Sequence, residues 1–173
     1  LKDAGQSGFK VGSVSVDWSQ VVRRSRDAAS KLSRGVGHLM KKNKITVLNG
    51  HGRFVTPGRI EVKAADGKVT EVASKNVILA TGARPATIPG VEIDGKKVIS
   101  SREAMILPSL PKSMTIIGAG AIGLEFAYFY SVFGTEITIV EYLDRLLPTG
   151  DEEVCAQLAR SFKKRGMKVH ASS

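Results

Sequence analysis

Three glycines, Gly118, Gly120 and Gly123, follow a β-branched run and open a stretch of helical periodicity, and no other feature constrains this chain as tightly. Thr115, Ile116 and Ile117 read as a strand. Helical spacing then carries Leu124, Ala127, Tyr128, Val132 and Phe133 on the expected apolar face to a stop at Gly134, and Ile137, Thr138, Ile139 and Val140 read as a second buried strand. In a strand–turn–helix–strand unit each glycine has its own task. Gly118 lets the chain turn sharply out of the strand, Gly120 lets backbone approach a pyrophosphate, and Gly123 lets the helix lie close to the sheet. The free N–H groups and positive dipole end of that helix then face the phosphates. The loop Gly118, Ala119, Gly120, Ala121, Ile122, Gly123 is therefore the candidate dinucleotide site.

A glycine triplet alone is a common loop, and glycines serving only helix–sheet packing are the plain alternative. Register decides for nucleotide binding here. Glu141 ends the second strand, where a carboxylate accepts hydrogen bonds from an adenosine ribose diol. The same charge repels a 2′-phosphate, so NAD is favoured over NADP. Arg145, four residues on, is the one nearby cation; beside Asp144 it reads as a surface arginine rather than a phosphate contact.

The chain has 173 residues, 42% of them hydrophobic, with no apolar run long enough to cross a bilayer and no signal-like opening. The expectation is a cytoplasmic or organelle-matrix protein without a membrane partner. Cys155 is the single cysteine, which excludes an internal disulfide and a cysteine-based metal cluster; it lies on the helical pattern of Val154, Leu158 and Phe162 and reads as a buried, inert thiol. No metal site is expected. The net charge of +10 raises the question of nucleic acid. Much of that charge lies between Trp18 and Lys44, where Arg23, Arg24, Arg26, Lys31, Arg34, Lys41, Lys42 and Lys44 face the single acid Asp27. Trp18, Val21, Ala28, Leu32, Val36, Leu39 and Met40 form an apolar helical stripe through this segment, without interleaved stacking aromatics. It reads as the solvated face of an amphipathic helix, not as a nucleic-acid site.

The first sixteen residues are rich in glycine and serine and begin on Leu1, which reads as the interior of a longer chain. Asp17 and Gln20 form a capping-box pattern for the basic helix, expected to end near Lys44. Short β-rich runs follow at Ile45–Leu48, Gly52–Thr56, Arg59–Ala64 and Lys68–Ala73, separated by Asn49-Gly50, Pro57-Gly58 and Asp66-Gly67, the pattern of an antiparallel meander. Asn76–Ala80 reads as a fully buried strand. From Gly82 to Lys112 four prolines leave linker composition around a short helical turn at Arg102–Ile106. Beyond Glu141, Asp151, Glu152 and Glu153 open a helix that runs to Arg165 and stops at Gly166, and Met167–His170 starts a third strand.

The wording of Thr115–Ala127 and Ile139–Val154 resembles the NAD domain of the pyridine nucleotide-disulfide oxidoreductase family, in particular its dihydrolipoamide dehydrogenase branch. Asn49–Phe54 is similar to that family's N-G-x-G-x-F turn, Ala80–Pro85 to its ATGxxP segment, and the basic helix to the long helix before its meander. The resemblance spans nearly the whole chain. It implies an α/β, Rossmann-like fold for NAD and FAD: residues 1–111 from the latter part of an FAD-binding domain with an antiparallel meander, and 112–173 from the start of an NAD-binding βαβ domain. It also assigns NAD contacts to Gly118–Gly123, a ribose contact to Glu141 and a contact near the nicotinamide to Glu125, and sets the backbone of Gly52, Thr81, Gly82 and Ala83 against FAD. Read without the family, Gly52 is equally a hairpin glycine, and Thr81–Gly82 a strand-ending turn.

In that family dihydrolipoamide, carried by the acyltransferase subunits of 2-oxo acid dehydrogenase complexes, reduces a cysteine pair; electrons pass to FAD and then to NAD in a homodimer. The redox cysteine pair, a glycine loop for FAD and the His-Glu pair have no counterpart in these residues, and His38, His51 and His170 lack an acid-pairing context. The expectation is thus a cofactor-holding segment, inactive and poorly soluble or oligomeric by itself. A related flavoprotein of the NADH oxidase or mercuric reductase type, or a non-catalytic NAD-binding module, is the alternative; glutathione reductases are disfavoured by Glu141.

Overall fold

The computed structural model describes residues 12–173. They form two compact units: the described residues up to Arg24 together with Pro85–Ser173, and Ser25–Arg84.

The second unit is a meander. Strands β1 (His51–Thr56), β2 (Arg59–Lys63) and β3 (Val69–Ala73) pair antiparallel in chain order, with an irregularity between Phe54 and Thr56. Both turns are made by glycines in the left-handed region, Gly58 at φ 78° and Gly67 at φ 86°. The Arg53 guanidinium meets the Glu61 carboxylate at 2.6 Å from the directly opposed position of β2. Two sequence expectations fail in this unit. Ile45–Leu48 and Asn76–Ala80 form no strand, and Ile78 and Leu79 stand 92% and 72% exposed. A parallel strand exists only by pairing with neighbours, and among the described residues none lies beside this segment. Helix α1 (Trp18–Lys42) has the expected extent, ended by Lys44 at φ 56°. Its Leu32, Val36 and Leu39 are exposed, so the apolar stripe covers nothing over that stretch.

The first turns of α1 belong to the other unit. Asp17 Oδ1 accepts the Gln20 N–H at 3.0 Å, the acceptor half of the expected capping box. Trp18 is buried against Phe129, Tyr130 and Phe133, with ring centroids 5.5–5.9 Å away, and its indole N–H donates to the Leu107 carbonyl at 2.8 Å. A buried aromatic of this size stabilises by about 1.5–3 kcal/mol, provided its N–H finds an acceptor, as here.

The segment read as a linker is built locally by two side chains. Asp94 Oδ1 accepts the N–H groups of Lys96, Lys97 and Val98 at 2.8–2.9 Å, and these hydrogen bonds hold its carboxyl below the usual range. Ser100 caps α2 (Ser101–Ala104): its Oγ accepts the Arg102 N–H, while its own N–H donates to Glu103 Oε2 at 2.8 Å. The S-x-x-E spacing carries this signal in the sequence.

Three parallel strands complete the unit. β4 (Ser113–Ile117), β5 (Glu136–Val140) and β6 (Lys168–His170) lie in that order, with Ile116 opposite Ile139 and Ile139 opposite Val169. The crossovers are α3 (Ala121–Val132) and α4 (Glu152–Lys164), the latter capped by Asp151 and ended at Gly166, φ 83°. Ile137 and Ile139 of the central strand are buried, with Leu124, Ala127 and Tyr130 of α3 in the same core. The buried face of α3 is thus 124–127–130. Tyr128 and Val132, expected on it, are exposed, and the Arg165 guanidinium lies 4.8 Å above the Tyr128 ring.

Candidate dinucleotide site

β4 leaves the sheet at Gly118, whose φ of 98° is a left-handed value that glycine adopts without a Cβ penalty. The Gly118 N–H donates to the Val140 carbonyl at 2.8 Å, adding a rung to the β4–β5 ladder before the turn. Gly123, in the first turn of α3, faces back toward this bend. A Cβ there would overlap the Gly118 carbonyl oxygen and come within 3.2 Å of Ile116 Cγ2, so glycine is what lets helix and strand approach.

Gly120 has no such internal reason. A Cβ at 120 would meet nothing within 4 Å, and its φ of −73° and ψ of 174° suit any residue. It is the N-cap of α3, with no side-chain cap. Among the described residues, the N–H groups of Gly120, Ala121, Ile122 and Gly123 have no acceptor; the helix closes its first bond from the Leu124 N–H to the Gly120 carbonyl at 3.0 Å. Ala121 and Ile122 are exposed. An open surface, free N–H donors and the positive end of a three-turn helix suit an anion, and the space over Gly120 suits one that comes close. These residues fit the pyrophosphate of a dinucleotide.

Ala119, between the glycines, is fully buried and tied on both sides. Its N–H donates to Glu141 Oε2 at 2.5 Å, and its carbonyl accepts the Leu147 N–H at 2.8 Å. The other Glu141 oxygen, Oε1, accepts the Leu143 N–H at 2.8 Å. Glu141 is buried, 8% exposed, and its carboxylate is satisfied by two backbone donors instead of a cation. Each of its oxygens keeps a further lone-pair site, which suits a ribose diol. The sequence placed Glu141 at the end of β5; its second role, holding the glycine turn, had no signal in the spacing.

The segment after β5 therefore holds the glycine turn at both sides of Ala119, through the Glu141 carboxylate, itself fixed by Leu143, and through the Leu147 N–H. Arg145 lies between them. Its Nε and Nη2 donate to the two Asp144 carboxylate oxygens at 2.9 and 3.1 Å, and Nη1 is 3.5 Å from Glu152 Oε1. The pairing holds the Asp144 carboxyl below its usual range and raises the guanidinium further. Cys155 is buried, and its thiol donates to the Leu147 carbonyl at 3.1 Å. Glu125 is exposed on α3.

The positions assigned to FAD belong to the other unit. Gly52 sits exposed on β1 opposite Val62, and Thr81, Gly82 and Ala83 lie in the exposed segment after β3, Gly82 at φ 78°. Among the described residues no hydrogen bond joins these stretches, and by themselves the four do not form a cradle. No group of three or more metal-ligating side chains occurs among the described residues, and none of their helices is long and apolar enough to cross a membrane.

The family model described as pyridine nucleotide-disulphide oxidoreductase matches residues 5–173. The chain is 48% identical over 166 residues to a dihydrolipoyl dehydrogenase of Chlorobaculum tepidum, covering 96% of this chain and 35% of that protein. It is 42% identical over 161 residues to the mitochondrial dihydrolipoyl dehydrogenase of Pisum sativum, covering 93% and 32%, and equally so to a leghemoglobin reductase of Vigna unguiculata, covering 93% and 31%. Among solved structures, LpdA of Mycobacterium tuberculosis matches with a TM-score of 0.87 at 29% identity, over 99% of this chain and 38% of that one. The flavoprotein disulfide reductase RclA of Escherichia coli, at 23% identity and a TM-score of 0.77 over 99% and 37%, shares the fold. The chain spans about a third of the length of the curated relatives it matches.

Proposed function

The chain belongs to the pyridine nucleotide-disulphide oxidoreductase family, whose members use FAD and NAD(P), and from that premise we propose that it is the cofactor-holding segment of an NAD-dependent dihydrolipoamide dehydrogenase. In this reading residues 1–111 contribute to an FAD-binding domain, with flavin against Gly52 and Thr81–Ala83, and 112–173 begin an NAD-binding domain. The observation that carries it is the glycine turn: free N–H groups at Gly120–Gly123 beside a carboxylate, Glu141, anchored at the end of β5. The identity to dihydrolipoyl dehydrogenases over nearly the whole chain supports the substrate class.

Bound NAD would supply the acceptor for a hydride. This chain's own residues bind and orient. The α3 N-terminus holds the pyrophosphate, Glu141 receives the adenosine ribose hydroxyls, and Glu125 lies toward the nicotinamide end. The overall change oxidises a dihydrolipoamide dithiol to its disulfide and reduces NAD, one of the two protons leaving to solvent. The thiol chemistry belongs to residues other than Cys155, which is buried and alone. The substrate would arrive on the acyltransferase subunits of 2-oxo acid dehydrogenase complexes, at a homodimeric enzyme of the cytoplasm or an organelle matrix.

Dihydrolipoamide-dependent reduction of NAD by the protein at its natural length tests the reading, with NADP as the comparison. Turnover with NAD and little with NADP is expected. No turnover of dihydrolipoamide, or a preference for NADP, would refute it. A reductase of a different acceptor is the second reading, favoured by the 42% identity to a leghemoglobin reductase; NADH oxidation that dihydrolipoamide and lipoamide leave untouched would select it.

A further inference from the structure

We infer that Asp144 and Glu152 set the cofactor preference by holding Arg145 away from the ribose edge of the nucleotide site. The inference rests on the NAD reading above and goes beyond the repulsion that Glu141 alone exerts. An arginine near the carboxylate position is the group that accommodates a 2′-phosphate, and Arg145 is placed for that work. It sits on a loop pinned to the site on either side, by Leu143 to Glu141 and by Leu147 to Ala119. Its side chain is 39% exposed, so solvent leaves it room to turn.

Two carboxylates occupy it instead. Asp144 takes it through both oxygens, the fork geometry that a phosphate would otherwise use, and Glu152, from the first turn of α4, draws Nη1 toward the helix. With Glu152 and Cys155 it lines the open cleft on the α4 side of the loop. Lys163 is the other cation lining that cleft, and it sits in the last turn of α4. A 2′-phosphate arriving beside Glu141 thus meets one unopposed carboxylate and a guanidinium whose charge is already matched. Asp144 and Glu152 are positioning residues acting through Arg145.

Titration calorimetry of the protein at its natural length with 5′-AMP and 2′,5′-ADP isolates the 2′-phosphate, and NAD is titrated alongside. In Asp144→Asn/Glu152→Gln the Kd for 2′,5′-ADP should fall about three- to fivefold relative to that for 5′-AMP, the size of an exposed ion pair regained. Adding Arg145→Ala to that variant should abolish the gain. An unchanged ratio while NAD still binds overturns the inference alone. An equal gain in the variant lacking Arg145 also overturns it, since removal of negative charge would then be the whole effect. Failure of the unaltered protein to bind NAD overturns the nucleotide reading and this inference with it. Both carboxylates are exposed, at 68% and 84%, so folding is not at stake in these variants.

Discussion

Ala119 donates its backbone N–H to the Glu141 carboxylate at 2.5 Å, a bond between positions 22 residues apart that ties the glycine turn after β4 to the end of β5. The acid expected to receive a ribose therefore holds the phosphate loop as well. Loop geometry and the proposed ribose contact fall to one side chain.

Replacing Glu141 by Ala leaves the Ala119 and Leu143 N–H groups without their acceptor, one of them fully buried. Urea denaturation without nucleotide should show a loss of about 1–3 kcal/mol, the cost of an unsatisfied buried donor, and the Ala119 amide should exchange faster. Weaker NAD binding at unchanged stability and exchange would mean that the carboxylate serves the ligand alone.

Gly123 and Gly120 separate packing from binding. Gly123→Ala drives a Cβ into the Gly118 carbonyl and toward Ile116, and should destabilise by about 1–3 kcal/mol, as overpacking does. Gly120→Ala meets no protein atom and should cost less than about 1 kcal/mol, the N-cap preference for glycine over alanine. Its effect belongs in NAD affinity. Equal stability losses for both variants would contradict this division.

Tyr130 is fully buried and donates its hydroxyl to the Ala104 carbonyl, joining α3 to α2. Tyr130→Phe should lower stability by about 0.5–1.5 kcal/mol at neutral pH. Burial raises the phenol in the folded protein above its ordinary value. The unfolded chain then ionises first as pH climbs, so the native protein loses stability from about pH 10 upward. Denaturation curves across that range should show the gap between the native protein and Tyr130→Phe narrowing; a constant gap would show that the buried phenol does not titrate this way.

Ser100→Ala removes one half of the α2 capping box and should cost about 1 kcal/mol. Glu103, hydrogen-bonded by the Ser100 hydroxyl and N–H, is held below its usual value. Its contribution is present at neutral pH, above the unfolded value near 4.3, and fades as pH drops through the lowered folded value. Thermal melts at pH 7 and pH 3 should therefore differ less for Glu103→Gln than for the native protein, and an equal pH dependence would refute the assignment.

Elements governed by neighbours in sequence were legible from the residues. The β4–α3–β5 unit, the helix from Glu152 and the meander rest on periodicity, turn glycines and caps, all of which act within a few positions. So were the tasks of Gly118 and Gly123, because a positive φ and a close helix are backbone demands. The Ser100–Glu103 box is equally local, carried by the S-x-x-E spacing.

Burial and long-range partners were not legible. Asn76–Ala80 has the composition of a buried strand and stands exposed, since apolar residues state a preference that only adjoining strands fulfil. Tyr128 and Val132 share helical spacing with the core, yet the elements packed on α3 cover Leu124, Ala127 and Tyr130 instead. The contacts that define the candidate site, Ala119 with Glu141 and Leu147 with Ala119, join segments that meet only once the parallel sheet is formed. Sequence by itself determined the glycine turn, the helix that follows it and the acid after the next strand, because these are written in local backbone freedom and periodicity. Tertiary structure decided that the same carboxylate also braces the loop and that Arg145 pairs with Glu152 as well as Asp144, because hydrogen bonds and ion pairs follow distance in space, which chain spacing does not encode.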